Sequence, residues 1–290
     1  MDRRDWVYGW LLVLPAMVFL GLFTHLPAIT TIWNSFFSTP RGRRPKLFVG
    51  LENYQRLLDD PVFWKVMVNN LWFALGTIPL SIALALIMAL SVQRAFAGRA
   101  LVRMAYFTPT VLPLIAVANI WLFFYTPGFG LIDQITGLFG LGQSNLLGSP
   151  DTALFAVMAV TVWKEAGFFM IFYLAALQTI PPQLSEAAKI EGASAGTVFW
   201  RITFPLLMPT TLFVSINAVI NSFRMVDHIF VLTGGGPDNA SSLLLFYIYE
   251  TSFRFWDTAY GATLTVVMLA LLGVLAIGQF LIFDKKVHYK

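Results

Sequence analysis

Two groups of residues have the types and spacing to do chemistry. One is Glu186-Ala187-Ala188-Lys189-Ile190-Glu191-Gly192, followed at a distance by Ile202-Thr203-Phe204-Pro205. The other is a set of polar side chains in apolar surroundings: Lys164 and Glu165 beside Trp163, then Asn217, Asn221, Arg224, Asp227 and His228. Neither group is enzyme apparatus. The chain has no G-x-x-x-x-G-K-[ST] phosphate loop, no H-E-x-x-H and no G-x-S-x-G elbow. His25, His228 and His288 are far apart in sequence, and the absence of cysteine removes thiolate ligands, disulfides and a Cys nucleophile. Catalytic and metal-ligating residues are therefore expected to be none, with no cofactor on this chain. Gly234-Gly235-Gly236-Pro237 lacks a following lysine and reads as a tight turn. Asp59-Asp60 ahead of Pro61 reads as a helix start with a favourable dipole.

The elements that must position these groups are membrane helices. Of 290 residues 58% are hydrophobic and 12% charged, and mean hydropathy is +0.72; soluble domains are about 25% charged. A spanning helix needs about 20 mostly apolar residues. Six segments qualify: Trp10 to Phe37, Asn69 to Val92, Met104 to Tyr125, Thr152 to Leu177, Leu206 to Leu232, and Tyr260 to Phe283. The first is too long for a signal-peptide core and is kept as a span. Pro27, Pro79, Pro113 and Pro209 lie inside spans, which membrane helices tolerate. The expected fold class is thus all-α: a polytopic membrane protein of about six transmembrane helices in a single domain, 1–290. The net charge of +4 reads as membrane topology, with no nucleic-acid partner. An even count puts both termini on one side. Arg94, Arg99 and Arg103 after the second span, and Lys285, Lys286 and Lys290 in the tail, lean toward cytoplasmic termini. Arg41, Arg43, Arg44, Lys46, Arg56 and Lys65 after the first span oppose that.

The long segment 178–205 has a helical pattern of its own. Pro181-Pro182 ends the preceding element, and Pro182 suits the first turn of a new helix. Leu184 to Glu191 is helix-forming, Gly192 allows a left-handed turn, and Ser194 can cap a second short helix leading to Pro205. The product is a helix-turn-helix knob with small alanines on one side and Glu186 and Glu191 free for charge-assisted bonds. An ordinary amphipathic loop on the membrane surface fits the same pattern.

That segment resembles the E-A-A-x₃-G-x₉-I-x-L-P signature of the membrane subunits of binding-protein-dependent ABC importers. Glu186, Ala187, Ala188, Gly192, Ile202 and Pro205 match at the proper spacing, and Phe204 replaces Leu. Phe48 to Tyr54, Leu174 to Pro181 and Leu232 to Pro237 resemble other segments of the carbohydrate-uptake branch, in its maltose and glycerol-3-phosphate type, first permease of the pair. The resemblance implies a type I importer permease fold working by alternating access, with 178–205 as a cytoplasmic coupling loop. It implies a second permease subunit, an ATPase dimer that binds ATP and Mg, and an extracytoplasmic solute-binding protein. It places the chain in a bacterial or archaeal cytoplasmic membrane, among lipid, with both termini cytoplasmic.

The intramembrane polar groups are then expected to serve the solute path. Asn217, Asn221, Arg224 and His228 fall at i, i+4, i+7 and i+11, one helical face, and Asp227 can neutralise Arg224. Amides and paired charges suit sugar or polyol hydroxyls, although such groups also hold bundles together. Trp163 can stack on a sugar ring or simply pack. Lys164 and Glu165, adjacent and mid-span, point in different directions and call for a water-filled cavity. The rival reading is a self-contained ion-coupled secondary transporter, with Glu165 and Asp227 as its only mid-membrane carboxylates and no visible repeat.

Overall fold

The computed structural model describes residues 3–284 apart from 41, 43, 44, 94 and 141–144. Arg41, Arg43, Arg44, Arg94, Lys285, Lys286 and Lys290 therefore lie outside the described residues. Among the described residues the regular secondary structure is helical, apart from one isolated bridge between Phe37 and Phe48. Four helical stretches are long and apolar enough to cross a membrane: Tyr8–Asn34, Pro61–Ser91, Ala153–Thr179 and Thr258–Leu281. Two further pairs qualify only as bent spans, Arg99–Val111 with Leu114–Phe124 at 103° and Ala195–Leu206 with Met208–Arg224 at 66°. Counting each bent pair as one span gives the expected six. The positions agree with the sequence reading to within a turn or two at most ends, but not in shape. Two of the six spans are broken.

The chain divides into two compact units. The first comprises residues 1–61 and 247–271. Its opening span runs from α1 (Arg3–Leu20) through a π-helical stretch to α2 (Leu26–Asn34), which starts with Pro27 in its first turn. None of this span's apolar window is buried within the chain, so its apolar side chains face away from the rest of it. The segment after α2 folds back on itself. Asn53, in the first turn of α3 (Glu52–Asp59), donates through Nδ2 to the carbonyls of Ser35 and Phe37, both at 2.8 Å.

Arg56 on α3 pairs with Asp257 at 2.6 Å and lies over the Tyr260 ring, 4.0 Å from its centroid. Thr39 Oγ1 also donates to Asp257, at 2.5 Å. Burial pushes the Asp257 carboxyl up, but the Thr39 and Arg56 donors outweigh it and hold the group below its ordinary range. Asp60 accepts the hydroxyls of Tyr247 and Tyr260, each at 2.6 Å, and burial first, then this carboxylate, drives the Tyr247 hydroxyl up. The basic segment after the first span is thus partly engaged by protein groups. Lys46 donates to Asn34 Oδ1 at 2.5 Å and sits over Phe37.

The second unit, residues 62–246 and 272–290, carries the candidate site. Its helices in order are α4 (Pro61–Ser91), α5 (Arg99–Val111), α6 (Leu114–Phe124), α7 (Leu131–Leu138), α8 (Ala153–Thr179), α9 (Pro182–Ile190), α10 (Ala195–Val198), α11 (Phe204–Leu206), α12 (Met208–Arg224) and α13 (Asp227–Leu232). The last two helices, α14 (Leu244–Tyr249) and α15 (Thr258–Asp284), each contribute residues to both units. The α8 span is the central one, with 67% of its window buried. One core cluster joins Val117 and Ala118 of α6 to Val157 and Val160 of α8 and Ile229 of α13. A second joins Ala85 and Ala89 of α4 to Phe169 and Tyr173 of α8 and Val214 of α12.

The Gly-Gly-Gly-Pro segment is the tight turn its composition predicts. Gly234 and Gly235 adopt φ of +58° and +79°, and a Cβ on Gly235 would run into the Phe246 ring. Asn69 of α4 pins this turn by donating to the carbonyls of Asn239 and Ser242 at 2.7 and 3.0 Å. Lys65 donates to the Asp238 carbonyl.

Candidate coupling loop and solute path

Segment 178–205 forms two short helices and a turn, each set by local chemistry. Pro182 occupies the first turn of α9, where its missing N–H costs nothing. The end of α9 is closed by the N–H groups of Glu191, Gly192 and Ala193 on the carbonyls of Ala187, Lys189 and Ala188 at 2.9–3.1 Å. Gly192 takes φ +82°, a conformation that side chains other than glycine enter at a cost of about 1 kcal/mol. Ser194 caps α10, its Oγ accepting from Thr197 N at 3.2 Å. A π-helical stretch, Phe199–Thr203, then leads into α11 and past a 66° bend into α12. Glu186, Ala187, Gly192 and Pro205 are exposed, and Ala188 and Ile202 are partly covered. Ile190 is 89% exposed. It is a bare apolar side chain in a knob of charges and small residues. Behind the knob a cavity of about 390 Å³ opens between Gln93, Leu177, Pro181, Ser185, Lys189 and Thr203.

The expected solute-path residues are gathered only in part. Asn217 and Asn221 lie on α12 with Arg224 at its end, as the spacing predicts. Asn217 Nδ2 donates to its own helix at Phe213 O, 2.8 Å, and Asn221 Nδ2 donates to Glu165 Oε2 at 2.7 Å. The helix then stops. Met225 is extended (φ −80°, ψ 110°), and α13 begins at Asp227 with its side chain in the first turn, so His228 does not continue the face. His228 is fully buried beside Phe73, with Nε2 3.1 Å from Thr161 Oγ1. The reason for the break is tertiary: Ile229 and Leu232 of α13 enter the core with Val117 and Ala118 of α6. Arg224 and Asp227 are both exposed and form no ion pair with each other, the described pairs being Arg56–Asp257 and Arg254–Glu250.

Trp163 packs edge-on against Trp121, ring centroids 5.6 Å apart. Lys164 and Glu165 do point apart, but the water-filled cavity expected for both is not what surrounds them. The Lys164 ammonium reaches three backbone carbonyls of α5 and the bend after it. Glu165 lines a polar pocket of about 10 Å³ with Thr77, Ser81, Thr161 and Ser222, room for about one water. Among the described residues no group of His, Asp and Glu could hold a metal.

This arrangement has known counterparts. Residues 81–289 match the family described as binding-protein-dependent transport system inner membrane component. The chain belongs to that family. As an ABC importer permease it is 35% identical to the trehalose/maltose transport system permease protein MalF of Thermococcus litoralis, over 93% of this chain and 92% of that one. It is 33% identical to the sulfoquinovosyl glycerol transport system permease protein SmoG of Agrobacterium fabrum, over 93% and 88%. The permease fold also matches a chain of a bacterial ABC transporter involved in import of the acidic polysaccharide alginate, with TM-score 0.85, 21% identity, and 98% and 96% coverage.

Sequence reasoning named Lys164 and Glu165 without finding their contacts, and it did not single out Ile190. The two charges carried a signal, being ionisable groups mid-span. Ile190 carried none, because one isoleucine between Lys189 and Glu191 is unremarkable until the turn at Gly192 leaves it uncovered.

Proposed function

We propose that this permease forms half of the translocation path for a sugar, polyol or glycerol-phosphate-like solute, as one transmembrane domain over 1–290. Coupling runs through the cytoplasmic loop 178–205, with Glu186, Ala187, Ala188, Gly192, Ile202 and Pro205 presented to a separate ATPase that binds ATP and Mg. A second permease completes the path, and an extracytoplasmic binding protein delivers the solute. Both termini are then cytoplasmic. The solute class is supported by the names of the relatives, which include trehalose/maltose, sulfoquinovosyl glycerol and sn-glycerol-3-phosphate permeases. A further support is a solved alginate transporter that holds its periplasmic protein. Asn217, Asn221, Arg224, Asp227 and Trp163 remain the proposed solute-path residues, Asn221 acting while tied to Glu165.

The observation that carries the coupling reading is the exposed knob. Its backbone is closed by its own caps, so its outward face is free for a partner. The test is affinity purification of the intact complex in mild detergent, followed by mass spectrometry. An ATPase, a second six-span permease and a solute-binding protein are expected with wild type, and Glu186→Lys or Gly192→Asp should lose the ATPase while the permease pair persists. Recovery of wild type alone, in a detergent that preserves related importers, would overturn the reading in favour of an ion-coupled carrier.

A further inference from the structure

Lys164 is a cation in the middle of the most buried span, 8% exposed itself, and neither the solute path nor the coupling loop uses it. Its Nζ lies 3.0 Å from the carbonyl of Pro109, 3.3 Å from that of Thr110 and 2.7 Å from that of Leu112. These carbonyls end α5 and open the 103° bend before α6. In an unbroken helix the Pro109 carbonyl would accept from residue 113, but that residue is Pro113, which has no N–H. Leu112 is extended, ψ 138°, so the carbonyls of Thr110 and Leu112 also leave the helical ladder. An ammonium offers three donors, and here it meets three acceptors that the bend has stranded. A cation at a helix C-terminus is the favourable polarity as well.

Two neighbouring features extend this contact. A Cβ on Gly167, one turn along α8, would run into the Tyr106 carbonyl, so α5 lies directly on α8. Glu165, the next residue, accepts from Asn221 of α12 at 2.7 Å, and α12 continues from the coupling loop. One peptide of α8 therefore holds the bend of the third span on one side and the helix from the loop on the other.

We propose that Lys164 is a positioning residue for translocation: it fixes the Leu112–Pro113 bend to α8, so that motion entering through the coupling loop and α12 reaches α6. The inference rests on the coupling reading above, and the assay separates the two. The intact importer is reconstituted in proteoliposomes, and ATP hydrolysis is measured with and without the binding protein purified from its host with its solute bound. Amide exchange over residues 114–118 is followed in the same samples.

With K164M the ATPase should stay in the complex and keep its basal rate. Stimulation by the binding protein should fall about tenfold, within the usual range of a coupling between two sites, and exchange over 114–118 should rise. K164R, which keeps the cation, should recover most of the stimulation, and Gly167→Ala should reproduce the K164M loss. Wild-type stimulation in K164M overturns the proposal, as does a K164R no better than K164M. If K164M does not assemble, Gly167→Ala decides, and unchanged stimulation there overturns it. Loss of the ATPase subunit from wild type itself would instead sink the coupling reading.

Discussion

The Asn221 amide is the side-chain donor that Glu165 accepts in the middle of a span. A carboxylate at that depth needs its donor, because a hydrogen bond to a charged group is worth about 1.5–3 kcal/mol. Asn221→Ala should therefore lower the thermal midpoint of the purified permease and slow transport together. Glu165→Gln in the same chain should restore part of the midpoint, since the uncompensated charge is gone. A double variant as unstable as the sum of the singles would show that the two residues do not act as a pair. Residues like these mark what the sequence reveals and what it hides. Pro182, Gly192 and Ser194 were readable because each acts within a few residues of itself, through φ or a cap. The partners of Asn221 and Lys164 lie 56 and 52–55 positions away, and no local rule reaches that far.

At the scale of elements, proline positions were visible but their consequences were not. Pro79 sits inside an unbroken α4, whereas Pro113 stands at a 103° bend. The difference lies in the neighbour: at the bend, Lys164 is there to take the stranded carbonyls. The end of α12 at Arg224 had no proline or glycine to announce it, because packing of α13 on α6 decides it. The stretch after the first span puzzled the charge rule by being basic. Its described cations, Lys46, Arg56 and Lys65, are engaged by Asn34 and Phe37, by Asp257 and the Tyr260 ring, and by the Asp238 carbonyl.

That tie has a defined pH window. Asp257 is depressed in the folded chain, so its stabilising contribution is complete above the ordinary carboxylate range and is lost as pH falls through the lower, folded value. Melting of the purified permease should be flat from about pH 5 to 8 and fall below about pH 4. Asp257→Asn should flatten part of the acid limb. An acid limb identical in the two proteins would remove the tie from the stability of this unit.

Across the whole molecule, the count of six spans and the all-helical class followed from composition and run length alone, since lipid admits few alternatives. What run length could not supply is the inequality among spans. The first buries none of its apolar window, and the fourth buries 67%. Such a gradient means that some spans are complete by themselves and others are not. The third span is not complete by itself: its bend leaves carbonyls that Lys164 of the fourth span takes up, and Lys164 is itself a poor residue to leave in hydrocarbon. During synthesis at the ribosome the third span emerges first, with its donor still untranslated. It is expected to linger at the insertion machinery until the fourth arrives, the two partitioning into lipid as a hairpin. Nascent chains arrested before Ala153 should stay crosslinkable to the translocon, while those extended beyond Thr179 should be released. Release of both alike would mean that the third span enters lipid without its donor.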